Sequence, residues 1–244
     1  MSALFYCFVL RINLLSDTYI MKKLLLGLLS AAALFPTPAL SSDYTPYSIS
    51  ALGCMKLGEC TDGVFKVSSV DHLETFDDLH LTHEQRVEAD DLIQVLKNLK
   101  VEVFIAEPKY FPGDMLAVYY TDSNTIYLNA NRTAVPTTIL QSLRHEGWHA
   151  VQDCIAGSID NTFMGVIFTD DEIPEKYIRI AQYRYGRFRN TAKAVPWEQG
   201  AIYAGDTPNL TLDTLQKCNK GPLWEAIKPT PLTLKWLIKE GYID

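Results

Sequence analysis

The chain has 244 residues, of which 48% are apolar or aromatic and 21% charged, and its formal net charge is −7. An acidic balance of this kind argues against a nucleic-acid binder, which would want a basic face, and the apolar content is enough for a core that need not rest on disulfides alone. No internal repeat or low-complexity tract interrupts it.

Residues 21–41 read MKKLLLGLLSAAALFPTPALS. Lys22 and Lys23 are followed by the apolar run Leu24 to Phe35 and then by small residues at Ala39 and Ser41, the layout of a signal peptide. A run of this length is short for a bilayer span, which counts against a membrane anchor. Residues 1–20 then read as an upstream extension or leader ahead of a start at Met21. The polar Ser16-Asp17-Thr18 argues against one long signal-anchor. Cleavage near Ser41 leaves 19 basic and 28 acidic residues. The processed chain is expected to be exported, periplasmic or secreted, with no stable membrane span.

Residues 42–81 are rich in Ser, Thr, Asp, Pro and Gly and read as an N-terminal arm, extended except for a strand at Val64–Ser69. The domain proper is expected over 82–244. Thr82 and Gln85 form a capping box for a helix carrying Val87, Leu92, Val95, Leu96 and Leu99 and ending near Lys100. Val101–Ala106 reads as a strand ended by Pro108. Met115–Thr121 and Thr125–Asn129 read as two strands joined by the turn residues Asp122-Ser123-Asn124. Pro136 opens a helix that runs to about Cys154. Pro174–Tyr185, Pro196–Ala204, Leu210–Asn219 and Thr233–Glu240 follow as helices, so the layout is α+β with the sheet early and helices late.

Of the five cysteines, Cys7 lies in the leader region, and Cys54, Cys60, Cys154 and Cys218 remain. An even count in an exported chain suggests two disulfides, with three possible connectivities. Cys54–Cys60, a short local loop, and Cys154–Cys218 are the favoured pairs, against the alternative of buried free thiols. No CxxC spacing points to zinc ligation by these residues. Ala51-Leu52-Gly53-Cys54 lies too far from the apolar run to read as a lipoprotein acylation site.

The helix from Pro136 contains His145-Glu146-Gly147-Trp148-His149, an H-E-x-x-H pattern. Helical residues four apart differ by about 40° around the axis, so the two imidazoles share a face. Two neutral imidazole nitrogens can bind one Zn²⁺ at about 2.0–2.1 Å, and Glu146 is placed to take a proton from a water acidified by the metal. Ile139, Leu140, Leu143, Gly147, Ala150, Val151 and Cys154 form an apolar stripe. The histidines lie nearly opposite it with Thr138 and Gln152, so they are expected to face a cleft. Gly147, on the stripe, lets another element approach.

From about Leu116 to Asp153 the chain resembles the zincin metallopeptidases. The resemblance is carried by Asn124-Thr125-Ile126-Tyr127-Leu128-Asn129, a short linker, Leu140-Gln141-Ser142-Leu143-Arg144-His145-Glu146 and Ala150-Val151-Gln152. It implies a zincin-like α+β fold: a small N-terminal sheet whose hairpin edge strand packs on the metal-binding helix, followed by a mostly helical C-terminal half. The edge strand, Met115–Thr121 or Thr125–Asn129, would bind extended peptide, with Glu146 as general base. A catalytic zinc takes three protein ligands. No histidine follows His149, so the third ligand is expected to be a downstream carboxylate, as in glutamate-type zincins. Glu198 is the choice, on a helix where Gly200, Ala201 and Ala204 permit close packing. Glu172 and Glu175 are alternatives. Ile202 stands where some such families carry an aspartate, so Asp206 is the candidate to orient His149 or to bind metal itself.

Tyr177, Tyr183, Tyr185 and Tyr203 are candidate oxyanion donors, with packing as their ordinary role. Arg179, Arg184, Arg187 and Arg189 read as a solvated basic face or an acidic-substrate site. Asn131-Arg132-Thr133 and Asn209-Leu210-Thr211 are glycosylation sequons only in a eukaryotic secretory setting. The expected function is an exported zinc-dependent hydrolase that cleaves peptide bonds. The alternatives are an inactive zincin-like binding module and a metal-dependent amidase acting on non-protein substrate.

Overall fold

The computed structural model describes residues 49–74, 81–112, 115–130, 136–157, 159–161, 163–187 and 191–244. The expected leader and signal peptide, the Asn131-Arg132-Thr133 sequon and Arg189 lie outside them. The architecture is mixed α and β, with an open four-stranded sheet and predominantly helical structure after it.

Strands β1 (Val64–Val67), β2 (Glu102–Ala106), β3 (Ala117–Tyr120) and β4 (Thr125–Asn129) lie in the order β1-β2-β4-β3. β1 runs antiparallel to β2, β2 parallel to β4, and β3 and β4 form the expected antiparallel hairpin with Tyr119 opposite Ile126. Asn124 closes the turn at φ 51°, a conformation that asparagine tolerates better than most residues. β3 is an edge strand, and β4 is interior.

Side chains alternate across the sheet with period two. Val103, Ile105, Ala117, Tyr119, Ile126 and Leu128 enter the main core under the helices. On the other face Val118 and Tyr127 pack with Met55, Tyr110, Phe111 and Met115. The Tyr127 hydroxyl donates to the Met55 carbonyl at 3.0 Å. Burial on both faces is why every residue of β4 is buried.

The second face is covered by the segment expected to be an extended arm. Its described part holds helix α1 (Ile49–Lys56), β1 and helix α2 (Val70–Glu74). β1 pairs along its whole length with β2. The Cys54–Cys60 disulfide holds the end of α1 against the sheet's lower core. The segment is thus part of the sheet's own packing, because β2 and the underside of β4 would otherwise be open to water.

Helix α3 (His83–Asn98) has the expected Thr82–Gln85 capping box. Ala89, Leu92, Ile93, Val95 and Leu96 are its buried apolar residues, while Val87, expected inside, is exposed. Glu88 is buried instead, because its carboxylate accepts from both Nε (2.7 Å) and Nη2 of Arg144 and from the Asn209 amide (3.0 Å). Arg144 also donates to the Gly205 carbonyl at 3.3 Å. This one side chain joins three parts of the helical layer.

The helical layer centres on α4 (Pro136–Asp153), followed by α5 (Glu175–Tyr185), α6 (Val195–Asp206), α7 (Leu210–Cys218), α8 (Leu223–Ala226) and α9 (Pro231–Lys239). The four late helices read from sequence are all present. α7 crosses α4 at Gly147, where a Cβ would lie 3.0 Å from the Thr211 methyl. The Thr211 hydroxyl donates to the Arg144 carbonyl at 2.9 Å, and Cys154–Cys218 links the ends of the two helices. Among the described residues no helix is long and apolar enough to cross a membrane.

Candidate metal centre

α4 presents His145 and His149 side by side, with ring centroids 5.0 Å apart. α6 packs across them and carries Glu198 in its first turn. The approach is close because α6 has a glycine at its far end: a Cβ on Gly205 would stand 3.1 Å from the Gln141 carbonyl and 3.4 Å from His145 Cβ.

The result is a three-residue cluster. Glu198 Oε2 lies 3.4 Å from His145 Nε2, and Glu198 Oε1 lies 3.8 Å from His149 Nε2. The donor atoms of the three residues all fall within 4.8 Å of one another. Ligands at about 2.0–2.1 Å from a tetrahedral ion stand roughly 3.3 Å apart, so the spacing suits one small cation. The protonation states also suit it. Burial, with the nearby Arg184 charge second, pushes His145 down to about 3. Burial pushes His149 down to about 4 against the opposing pull of Glu198. Both imidazoles are therefore neutral, which is the ligand form. His149 Nε2 has no hydrogen-bond partner among the described residues, an otherwise costly state for a buried nitrogen. The buried His145–His149–Glu198 group can hold a metal ion.

The other side of each imidazole is held by α6 or its neighbour. His145 hydrogen-bonds to the Ala201 backbone. His149 Nδ1 meets Gln152 Oε1 at 2.8 Å, and the Gln152 amide donates to the Trp197 carbonyl at 2.9 Å. That second bond fixes which way the amide points. Its oxygen faces His149, so Nδ1 carries the proton and Nε2 is left for the ion. Gln152→Leu is expected to weaken metal-ion binding by about 10–100-fold while leaving the fold intact, and Gln152→Glu to restore most of the loss. Competition with a chelating dye measures both. Equal affinity in the leucine variant and the wild type would remove this role from Gln152.

Glu146 is buried beside the cluster. It accepts a hydrogen bond from the Tyr119 backbone of edge strand β3. Burial first, and the neighbouring Glu198 charge second, push its carboxyl well above the usual range. Its Oε1 has no hydrogen-bond partner among the described residues.

Several sequence expectations change. Asp206 is exposed and accepts from the Gln141 side-chain amide, so Gln152 holds the place beside His149 foreseen for it. Glu172 caps its own short helix at Thr169, and Glu175 pairs with Arg179 at 2.9 Å. Both are exposed and outside the cluster. The histidines do not open on a cleft: His145, Glu146, His149 and Glu198 are only 0–3% exposed, because α6 lies over the face that the sequence left open. Tyr177 and Tyr185 are core residues, Tyr203 packs on Tyr177, and Tyr183 is exposed beneath the Arg187 guanidinium. Ile202 is simply buried.

Sequence reasoning missed the buried Asp153. Its Oδ2 accepts from the Tyr119 hydroxyl at 2.8 Å. Its position, four residues after His149 and eight after His145, was the available signal.

No family model matches the chain, and no curated protein or solved structure matches it.

Proposed function

We propose that the protein is an exported zinc-dependent hydrolase, a peptidase of zincin-like build. One observation carries the reading: Glu198, some fifty residues downstream, brings its carboxylate to 3.4 and 3.8 Å from the two H-E-x-x-H imidazoles. Two histidines and a carboxylate are a common catalytic zinc set. The two disulfides and the signal-peptide pattern at 21–41 support export.

Zinc bound there would supply a Lewis acid and an acidified water. Each residue of the chain then has a task. His145 and His149 offer their Nε2 atoms, and the Ala201 backbone and Gln152 hold the rings in that orientation. A cation in the site would offset the burial and the Glu198 charge that favour protonated Glu146, leaving its Oε1 as proton acceptor while the Tyr119 backbone steadies the carboxylate. β3 lies along the site as an edge strand, the element on which an extended peptide can pair.

The closure of the site favours a second reading, a zinc-holding module without turnover. Both readings expect about one zinc per chain, and Glu146→Gln separates them. In the hydrolase, the variant keeps its metal and loses about 10²–10⁴ in kcat on a peptide panel. In the module, neither wild type nor variant turns over any peptide. Turnover of cell-wall amides but not peptides would instead indicate an amidase.

A further inference from the structure

Given the peptide-binding metal centre proposed above, we infer that Arg184 is its specificity residue: the guanidinium receives a carboxylate of the bound peptide, from an acidic side chain or from the peptide's own C-terminus.

Two contacts fix how α5 lies on α6. Tyr177, in the first turn of α5, packs on Tyr203 in the last turn of α6, with ring centroids 5.2 Å apart. At the other end the Thr191 hydroxyl donates to the Tyr185 carbonyl at 2.6 Å, just before α6 begins at Val195. The two helices therefore run antiparallel. The last turn of α5, which holds Arg184, stands level with the first turn of α6, which holds Glu198. Arg184 shares a helical face with Tyr177, Ala181 and Tyr185, all three buried. It is itself half-buried, so its stem lies in the packed face while water still reaches the side chain. Its charge is felt at His145.

The other charges around it are already engaged. Arg179 pairs with Glu175 at 2.9 Å, and the Arg187 guanidinium lies 3.7 Å from the centre of the Tyr183 ring. Asp170 accepts from the Gln199 amide at 2.6 Å, and Asp171 and Glu172 both bond at Thr169. Glu198 faces the two imidazoles. Arg184 has no ion pair or hydrogen bond among the described residues. From Lys176 to Trp197 the sequence holds six basic residues and no acidic one, although the chain carries −7 overall.

A cation without a partner weakens a cation site next to it, because like charges repel. The arrangement becomes favourable when an anion enters. A carboxylate suits the planar fork of the guanidinium, which can hold both of its oxygens. A neutral or basic group gains nothing there. Edge strand β3 then serves the peptide backbone on the Glu146 side of the centre, and α5 serves the peptide's charge on the His145 side.

The test uses the full Glu146→Gln chain supplied with zinc, and isothermal titration calorimetry with three hexapeptides. The first is neutral and glutamine-rich with both ends blocked. The second has glutamates in place of the glutamines. The third is the neutral sequence with a free C-terminal carboxylate. At least one carboxylate peptide should bind about 10–100-fold more tightly than the blocked neutral one, and which one does so names the source of the carboxylate. Adding Arg184→Gln should abolish the difference without weakening the neutral peptide. Arg184→Lys, a point charge without the fork, should keep part of it. Zinc content equal to the parent's shows that the centre survives in both variants. Equal affinities for all three peptides, no binding of any, a preference undiminished by Arg184→Gln, or loss of zinc from that variant overturns the proposal. Turnover by the wild-type chain is scored separately. Cleavage of the neutral peptide alone overturns the role of Arg184 and leaves the hydrolase. Carboxylate-selective binding without cleavage leaves Arg184 its role and removes the hydrolase.

Discussion

Glu198→Gln and His149→Ala chains are expected to lose the stoichiometric zinc of the parent, while Glu146→Gln keeps it. The first two each remove one of three donors that face a single point, so the loss should exceed the 10–100-fold that an outer partner costs. Glu146 lies beside that point, held by the Tyr119 backbone, and its amide isostere preserves the packing. Stability of the metal-free chains separates ligand loss from misfolding. Without a cation, Glu198 and Glu146 are two carboxyl groups close together in the interior. A carboxylate held in the interior without a counter-ion carries a desolvation cost that a neutral amide of the same shape does not. Metal-free Glu198→Gln should therefore unfold no earlier than the metal-free parent, though its zinc content, read by atomic emission after dialysis, is near zero. Zinc retained in Glu198→Gln would move the third ligand elsewhere and dissolve the hydrolase reading.

Asp153→Asn should stabilise the metal-free protein at pH 8 and change it little near pH 4. Burial pushes the Asp153 carboxyl up to about 8, against the donation from Tyr119, and the charges of Asp122 and Asp160 add to the rise. In the unfolded chain the same group ionises near 3.8. Below that value both states hold the proton and its stabilising effect is complete. As pH rises from about 4 to about 8 the unfolded state releases a proton that the folded state keeps, so stability falls across this window. At about 1.4 kcal/mol per unit the fall is at most roughly 5 kcal/mol. Asparagine cannot ionise, and its side-chain oxygen can still accept from Tyr119. Urea midpoints at pH 4.5 and 8, taken with chelator present, should diverge for the parent and stay close for the variant. Parallel pH slopes in the two chains would mean that Asp153 is ionised in the fold.

The elements most legible in the sequence are those whose local chemistry agrees with their packing. The Thr82–Gln85 box, the Asn124 turn and the apolar stripe of α4 each announce a boundary or a face, and the structure places them within a residue or two. Glu198 was legible because an acid starts a helix of small residues at a sufficient distance from His149. The arm was not. Ile49–Lys56 has no amphipathic period of its own, and its helix is held by a disulfide and by the underside of the sheet. Closure of the site was equally hidden. A helical period tells which residues lie opposite the apolar stripe but not whether a second helix covers them. The partner of His149 was hidden for a related reason: Gln152 stands one turn away on the same helix, and what makes its amide a partner is the Trp197 carbonyl that orients it, a contact no local pattern reveals.

The Cys154–Cys218 bond spans 64 residues of sequence, and Glu198 lies inside that span. Closing a loop of this size removes about 4 kcal/mol of entropy from the unfolded chain. It also has a chemical consequence. The ring begins five residues after His149, so an unfolded but oxidised chain still carries its third ligand on a tether short enough to keep a high effective concentration of carboxylate near the two imidazoles. A metal ion bound there and released on unfolding would meet a partly gathered site. In the reduced chain the same carboxylate returns along an open strand.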